Sequence, residues 1–236
     1  MFQSISKNKT AVFLVVFFSI VSNAQSNMFG DWRIDNIIGI SDIKEYSMVK
    51  QEENNRSGHL LTLNLDGTFV SRNLPQCGND TFLSAFGNFI VIDDTHIRFI
   101  LRKTSSRSYN KVHNLESDLS RDLGIFYIYK DSGSVRLIAS NGVLEDDKNK
   151  ILYTKLMDSF NWRLYDFVWN NTKGNNPEEI VKDCIDLEKR IDFSHCKVVF
   201  SKKENYGDVI LMQENSNFHF VIYDDFKKKV SLAYPK

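Results

Sequence analysis

HLLTLNLDGTFV, running from His59 to Val70, is the stretch that decides the fold. Leu61, Leu63 and Leu65 fall on one side of an extended chain, and Leu60, Thr62 and Asn64 on the other. Period two is the pattern of a half-buried strand. Asp66-Gly67 follows at once, and Thr68-Phe69-Val70 resumes the strand. Asp-Gly between two such runs is a strong hairpin signal, because both residues tolerate positive φ.

The same pattern extends in both directions. Asp31 to Ile38, Gly87 to Ile92, Ile97 to Arg102, Gly124 to Tyr129, Val135 to Ala139 and Lys150 to Leu156 all read as strands. Asp93-Asp94-Thr95 and Asp131-Ser132-Gly133 supply turns between neighbours. About eight strands with short sequential links predict a mainly β, antiparallel meander, and closing it into an up-and-down barrel removes its edges. Two stretches interrupt it. Ser41 to Ser57 is polar and reads as a long loop or a short helix. Lys103 to Asp122 is Ser-rich and charged, and reads as an excursion at one open end. Long loops of this kind either border a binding site or are simply mobile.

The character changes after Ser159. Phe160 to Trp169 carries aromatics on both strand parities, which favours a strand buried between layers over a sugar- or lipid-contacting stripe. Asn176-Pro177-Glu178-Glu179 is a helix start, with a capping Asn, Pro in the first turn and acids at the positive end of the dipole. Ile180, Val181, Cys184, Leu187 and Ile191 then follow at helical spacing, so a helix is predicted over 177–190. Lys197–Phe200, Asp208–Met212, Asn217–Tyr223 and Val230–Tyr234 alternate as strands. The expected organisation is a leader over 1–24, a barrel over 25–158, and a small C-terminal α+β unit over 159–236 with one helix and about four strands.

The leader reading rests on three features. Lys7 and Lys9 give a basic start, Ala11 to Val21 is a short apolar run, and Ser22-Asn23-Ala24 offers small residues for cleavage before Gln25. The run is shorter than the roughly 20 residues a membrane span needs, so no span is expected after cleavage. The chain is therefore expected to be exported, to a periplasm or the medium. The abundance of Asn suggests an AT-rich, bacterial source. Residues 1–24 hold two lysines and no acid, which leaves 28 basic against 30 acidic residues. A balance so close to neutral gives no broad field for nucleic acid or an anionic membrane.

An oxidising compartment permits a disulfide among Cys77, Cys184 and Cys196. Cys184 with Cys196 is the favoured pair, since the two bracket a helix-to-strand link; a bridge from Cys77, or none, stays open. Cys184, His195 and Cys196 lack the four ligands in tight pairs that a structural zinc needs, so no metal and no cofactor are expected. His59, His96, His113, His195 and His219 are scattered without metal-ligand spacing. There is no G-x-S-x-G, H-E-x-x-H, phosphate loop or dinucleotide fingerprint. Asp93-Asp94, Asp146-Asp147 and Asp224-Asp225 sit where turns are expected, and Lys227 to Lys229 reads as a solvated hairpin turn. No constellation supports an enzyme.

One further pattern joins these strands. Gly30-Asp31-Trp32 is followed by Leu61-x-Leu63-x-Leu65-Asp66-Gly67-Thr68-Phe69, then Cys77, Phe86-Gly87-Asn88-Phe89 and Ile97-x-Phe99. This order resembles the secreted bacterial lipocalin-like proteins over roughly residues 29–157. The resemblance implies an antiparallel barrel with Trp32 packed across its closed end, and a cavity for a small molecule. The departures are Phe89 at the second G-x-W-like element, the 103–122 excursion, and residues 160–236. The first functional expectation is a non-enzymatic binder of a small apolar or amphipathic ligand. Its interior would be Leu61, Leu63, Phe69, Phe89, Val91, Phe99, Ile125 and Tyr127, with 41–57 and 103–122 rimming the mouth. The alternative is a protein–protein interaction module acting on an envelope or secreted partner, its barrel filled by its own side chains.

Overall fold

The computed structural model describes residues 28–52, 57–74, 81–108, 120–157, 159–168, 195–224, 226 and 229–235. The chain divides into two compact units, one ending at Leu144 and one beginning at Glu145.

The first unit is a closed eight-stranded antiparallel barrel. Its strands are β1 (Gly30–Ile34), β2 (Glu45–Lys50), β3 (Gly58–Leu63), β4 (Thr68–Leu74), β5 (Thr81–Val91), β6 (His96–Ser108), β7 (Arg121–Asp131) and β8 (Ser134–Ser140). From β3 to β8 the strands pair in chain order. The start is different: β1 lies between β2 and β3, and β2 closes the ring against β8. The barrel is thus closed but not strictly up-and-down. β2 and β3 run parallel to each other on either side of β1. Two readings of the sequence are corrected here. Glu45–Lys50 is a strand, because Tyr46 and Met48 point inward between exposed neighbours. Lys103–Ser108, Arg121 and Asp122 belong to β6 and β7, which leaves 109–119 of the excursion, outside the described residues.

The predicted hairpin is present with one residue more in its loop. Leu63 pairs with Phe69, and Asn64 and Thr68 close a Leu65-Asp66-Gly67 turn in which Gly67 alone takes positive φ, at 80°. That is the three-residue loop with a left-handed glycine. Leu65 therefore stands at the turn tip, 84% exposed, rather than in line with Leu61 and Leu63. Asp66 Oδ1 fastens the turn by accepting from the Thr68 amide at 2.9 Å and the Thr68 hydroxyl at 2.6 Å.

The second unit opens with helix α1 (Leu144–Met157), which replaces the strand read over Lys150–Leu156. Ile151 and Tyr153 alternate as in a strand, but Leu152 with Leu156, and Tyr153 with Met157, repeat every four residues. Glu145, Asp146 and Asp147 in the first turn and Lys155 in the last suit the helix dipole. Strands β9 (Phe160–Val168), β10 (Cys196–Glu204), β11 (Gly207–Glu214), β12 (Asn217–Asp224) and β13 (Lys229–Pro235) form a five-stranded antiparallel sheet in the order β10-β11-β12-β13-β9. Tyr153 of α1 packs with Val209, Leu211, Phe220, Ile222 and Ala233 on one face of that sheet. The helix predicted over 177–190 lies outside the described residues.

Candidate functional site

The barrel interior is where the sequence places a ligand. Leu61, Leu63, Phe69, Phe89 and Phe99 all join one inner cluster, and Val91 packs against it half-buried. Ile125 and Tyr127 do not join it; Phe126 and Ile128 do. β7 is apolar on both parities, so its alternation does not say which side faces in. Register decides: Phe126 pairs with inward Ile97, which pairs with Val91. A bulge opposite Phe99 and Ile100, with Gly124 at φ 89°, then shifts the strand so that Leu123 also packs inward.

Aromatic rings form an unbroken chain through this interior. Phe29 meets Phe89 at 6.0 Å between centroids, Phe89 meets Phe99 at 6.3 Å, and Phe99 meets both Phe69 at 5.3 Å and Phe126 at 5.9 Å. Tyr46 continues it from Phe126 at 5.8 Å. Several are edge-on or tilted contacts of the favourable kind.

Each end of the barrel is stopped differently. The β3–β4, β5–β6 and β7–β8 turns gather at one end, here called the turn end. There Trp32 is 4% exposed, its indole N–H donates to the Met28 carbonyl at 2.8 Å, and Met28 is itself buried. Lys50 Nζ lies 3.9 Å over the Trp32 ring and donates to the Phe29 carbonyl; loss of solvation lowers its pKa. At the other end the β1–β2 link, 35–44, turns inward. Ile37 and Ile38 are buried, and the Ile38 amide donates to Ser71 Oγ at 3.1 Å. Ser71 is an inward serine on β4, and its register partner on β5 is Ala85. These two small residues leave the room that the inserted link takes up. Gly39, at φ 80°, donates to the Tyr46 hydroxyl at 3.4 Å and accepts from Arg121. The 41–57 and 103–122 segments thus contribute strands, and the neighbouring 35–40 stretch contributes a stopper.

Several further polar groups among the described residues make local contacts. Asp93 accepts from Thr95 at 2.7 Å and lies 3.0 Å from His96 Nδ1, a turn in which His96 is buried. Desolvation raises the Asp93 pKa, but the bonds from Thr95 and His96 outweigh it and hold the carboxyl below its usual range. His59 Nδ1 sits 2.7 Å from the Asp35 carbonyl, and His219 Nε2 lies 3.2 Å from Glu214. In the second unit the Tyr153 hydroxyl is buried without a hydrogen-bond partner among the described residues. Burial, with Glu204 and Tyr206 nearby, pushes its pKa up to about 12. Among the described residues, no three His, Cys, Asp or Glu side chains gather as metal ligands would. No helix among them is long and apolar enough to cross a membrane. Cys77 and Cys184 lie outside the described residues, so the proposed bridge to Cys196 does too.

Fold and interior together define the class: a closed eight-stranded antiparallel barrel with a buried cluster of aromatic and aliphatic side chains inside. No protein-family model, curated protein or solved structure matches the chain.

Proposed function

We propose that this protein is an exported, non-enzymatic interaction module that works through its outer surface, with the barrel serving as a rigid scaffold. One observation carries the choice over ligand binding inside the barrel. A cavity large enough for a small molecule leaves accessible surface on its lining, yet Leu61, Ile97, Phe99 and Leu137 retain 0%. An eight-stranded barrel is at the size where side chains either fill the interior or just leave room for one small ligand. In this reading the likeness to lipocalin-like proteins concerns the scaffold, and the place of β1 between β2 and β3 departs from their up-and-down order.

Native mass spectrometry of the protein purified from its own source tests the reading. A second polypeptide in stoichiometric complex is the expected result. A co-purifying small molecule, together with saturable binding of a fluorescent fatty acid, overturns it and restores the ligand-binding reading. N-terminal sequencing of the same material tests export: the chain is expected to begin at Gln25, and a retained Met1 refutes cleavage.

A further inference from the structure

At the turn end three large aliphatic side chains stand in solvent: Leu65 at 84% exposure, Ile90 at 51% and Ile92 at 48%. The backbone brings them together. The Phe89 amide donates to the Gly67 carbonyl at 2.8 Å, and Thr68 faces Asn88 in register. The turn that carries Leu65 therefore lies beside the last residues of β5. Ile90 and Ile92 share the outward parity there, while Phe89 and Val91 pack on the inner cluster. A single exposed aliphatic is ordinary, but several on adjoining turns make a patch of the kind that marks interfaces.

The charge around this patch is predominantly negative, with Lys50 and Lys130 as the cations at the same end. Thr62–Phe69 and Phe86–Ile97 contain Asp66, Asp93 and Asp94 and no Lys or Arg. Arg98, the register partner of Ile90 on the same outer face, is paired with Asp122. Asp31 joins the same end, fixed by a 2.6 Å bond from the Thr62 hydroxyl. The Thr68 hydroxyl and amide hold Asp66 below the usual carboxylate range, and Asp93 is also below it, so both stay ionised near neutral pH.

We propose that this rim docks a cationic amphipathic segment of a partner polypeptide, one that interleaves Lys or Arg with aliphatic side chains. This rests on the interaction-module reading. The aliphatic patch supplies the burial, and the aspartates select a basic partner and repel acidic ones.

The test is fluorescence anisotropy with two labelled peptides, one built of Lys and Leu at helical spacing and the other with Glu in place of every Lys. The Lys peptide saturates the intact protein and the Glu peptide does not. Leu65→Ser with Ile90→Ser weakens the Lys peptide about tenfold at unchanged melting temperature, and Asp94→Asn, which leaves the Asp93 turn bonds in place, weakens it about threefold. Asp42→Asn, an exposed carboxylate at the far end, leaves it unchanged. Equal binding of both peptides, no binding of either, or equal loss with Asp42→Asn overturns the proposal. Native mass spectrometry of the Leu65→Ser, Ile90→Ser protein separates the two levels. A native complex that survives these changes puts the docking surface elsewhere and leaves the module reading standing. Absence of any complex from the unaltered protein removes both.

Discussion

Ser71 in the barrel and Tyr153 in the helix-covered sheet are buried hydroxyls in different settings. Inside the barrel, Ser71 is buried and serves as the acceptor for the Ile38 amide. In the sheet unit, the Tyr153 ring packs on Phe200 and Phe220, and its buried hydroxyl has no hydrogen-bond partner among the described residues. A closed barrel surrounds each inward residue on every side, so each small residue must be matched by something that intrudes. Ile38 enters beside Ser71 and Ala85, and the Phe69 ring and Ile100 carbonyl crowd the space over Gly87. An open sheet with a helix on one face has edges where misfit can relax. Its edge strand β10 carries exposed Lys197, Lys202 and Lys203, which discourage strand addition. The lesson is that closure, more than hydrophobicity, sets how exacting a position is.

The largest expected effect lies at the turn end. Trp32→Ala removes the buried ring there and is expected to cost about 3–5 kcal/mol in chemical denaturation. An unchanged midpoint would make the barrel as tolerant as the sheet.

Gly87→Ala probes the same tightness with one carbon. A Cβ there lies 2.1 Å from the Ile100 carbonyl oxygen and 2.6 Å from the Phe69 ring. Overpacking against backbone is expected to cost about 3 kcal/mol and lower the melting temperature. Gly133, with nothing near its added Cβ, is the control for space, its φ of 99° adding only strain.

Ser71→Ala leaves the Ile38 amide buried and unbonded. The expected loss is about 1–3 kcal/mol, with faster exchange of the Ile38 amide hydrogen. If stability holds and that amide stays protected, the inserted link does not depend on Ser71.

Tyr153→Phe should go the other way, gaining about 1 kcal/mol because an unpaired buried hydroxyl is removed. The same substitution changes the alkaline limb. The folded phenol holds its proton to about 12, above the value of the unfolded chain. Its contribution is complete below about pH 10 and is lost as the pH rises through the folded value. Melting curves between those limits should fall less steeply for Tyr153→Phe than for the natural chain. A destabilised variant would mean the hydroxyl has a partner after all.

Much of the barrel was legible in local pattern. The Leu61-to-Phe69 hairpin, the turns at 93–95 and 131–133, and the inward set Leu61, Leu63, Phe69, Phe89 and Phe99 follow from alternation and turn chemistry, which act between near neighbours. So do the strands over 197–234. Three features were not legible. β2 carries only Tyr46 and Met48 as inward residues, too few to stand out beside polar flanks. Residues 150–156 alternate and repeat every four residues at once, and only packing on Phe220 and Leu211 selects the helix. On β7 both faces are apolar, and only pairing with Ile97 turns Phe126 rather than Ile125 inward. The inward turn of the 35–40 link was hidden for the same reason. Local sequence determines which way a strand alternates. What occupies the space between strands depends on residues such as Ile38 and Ser71, 33 positions apart, meeting only when the barrel has closed.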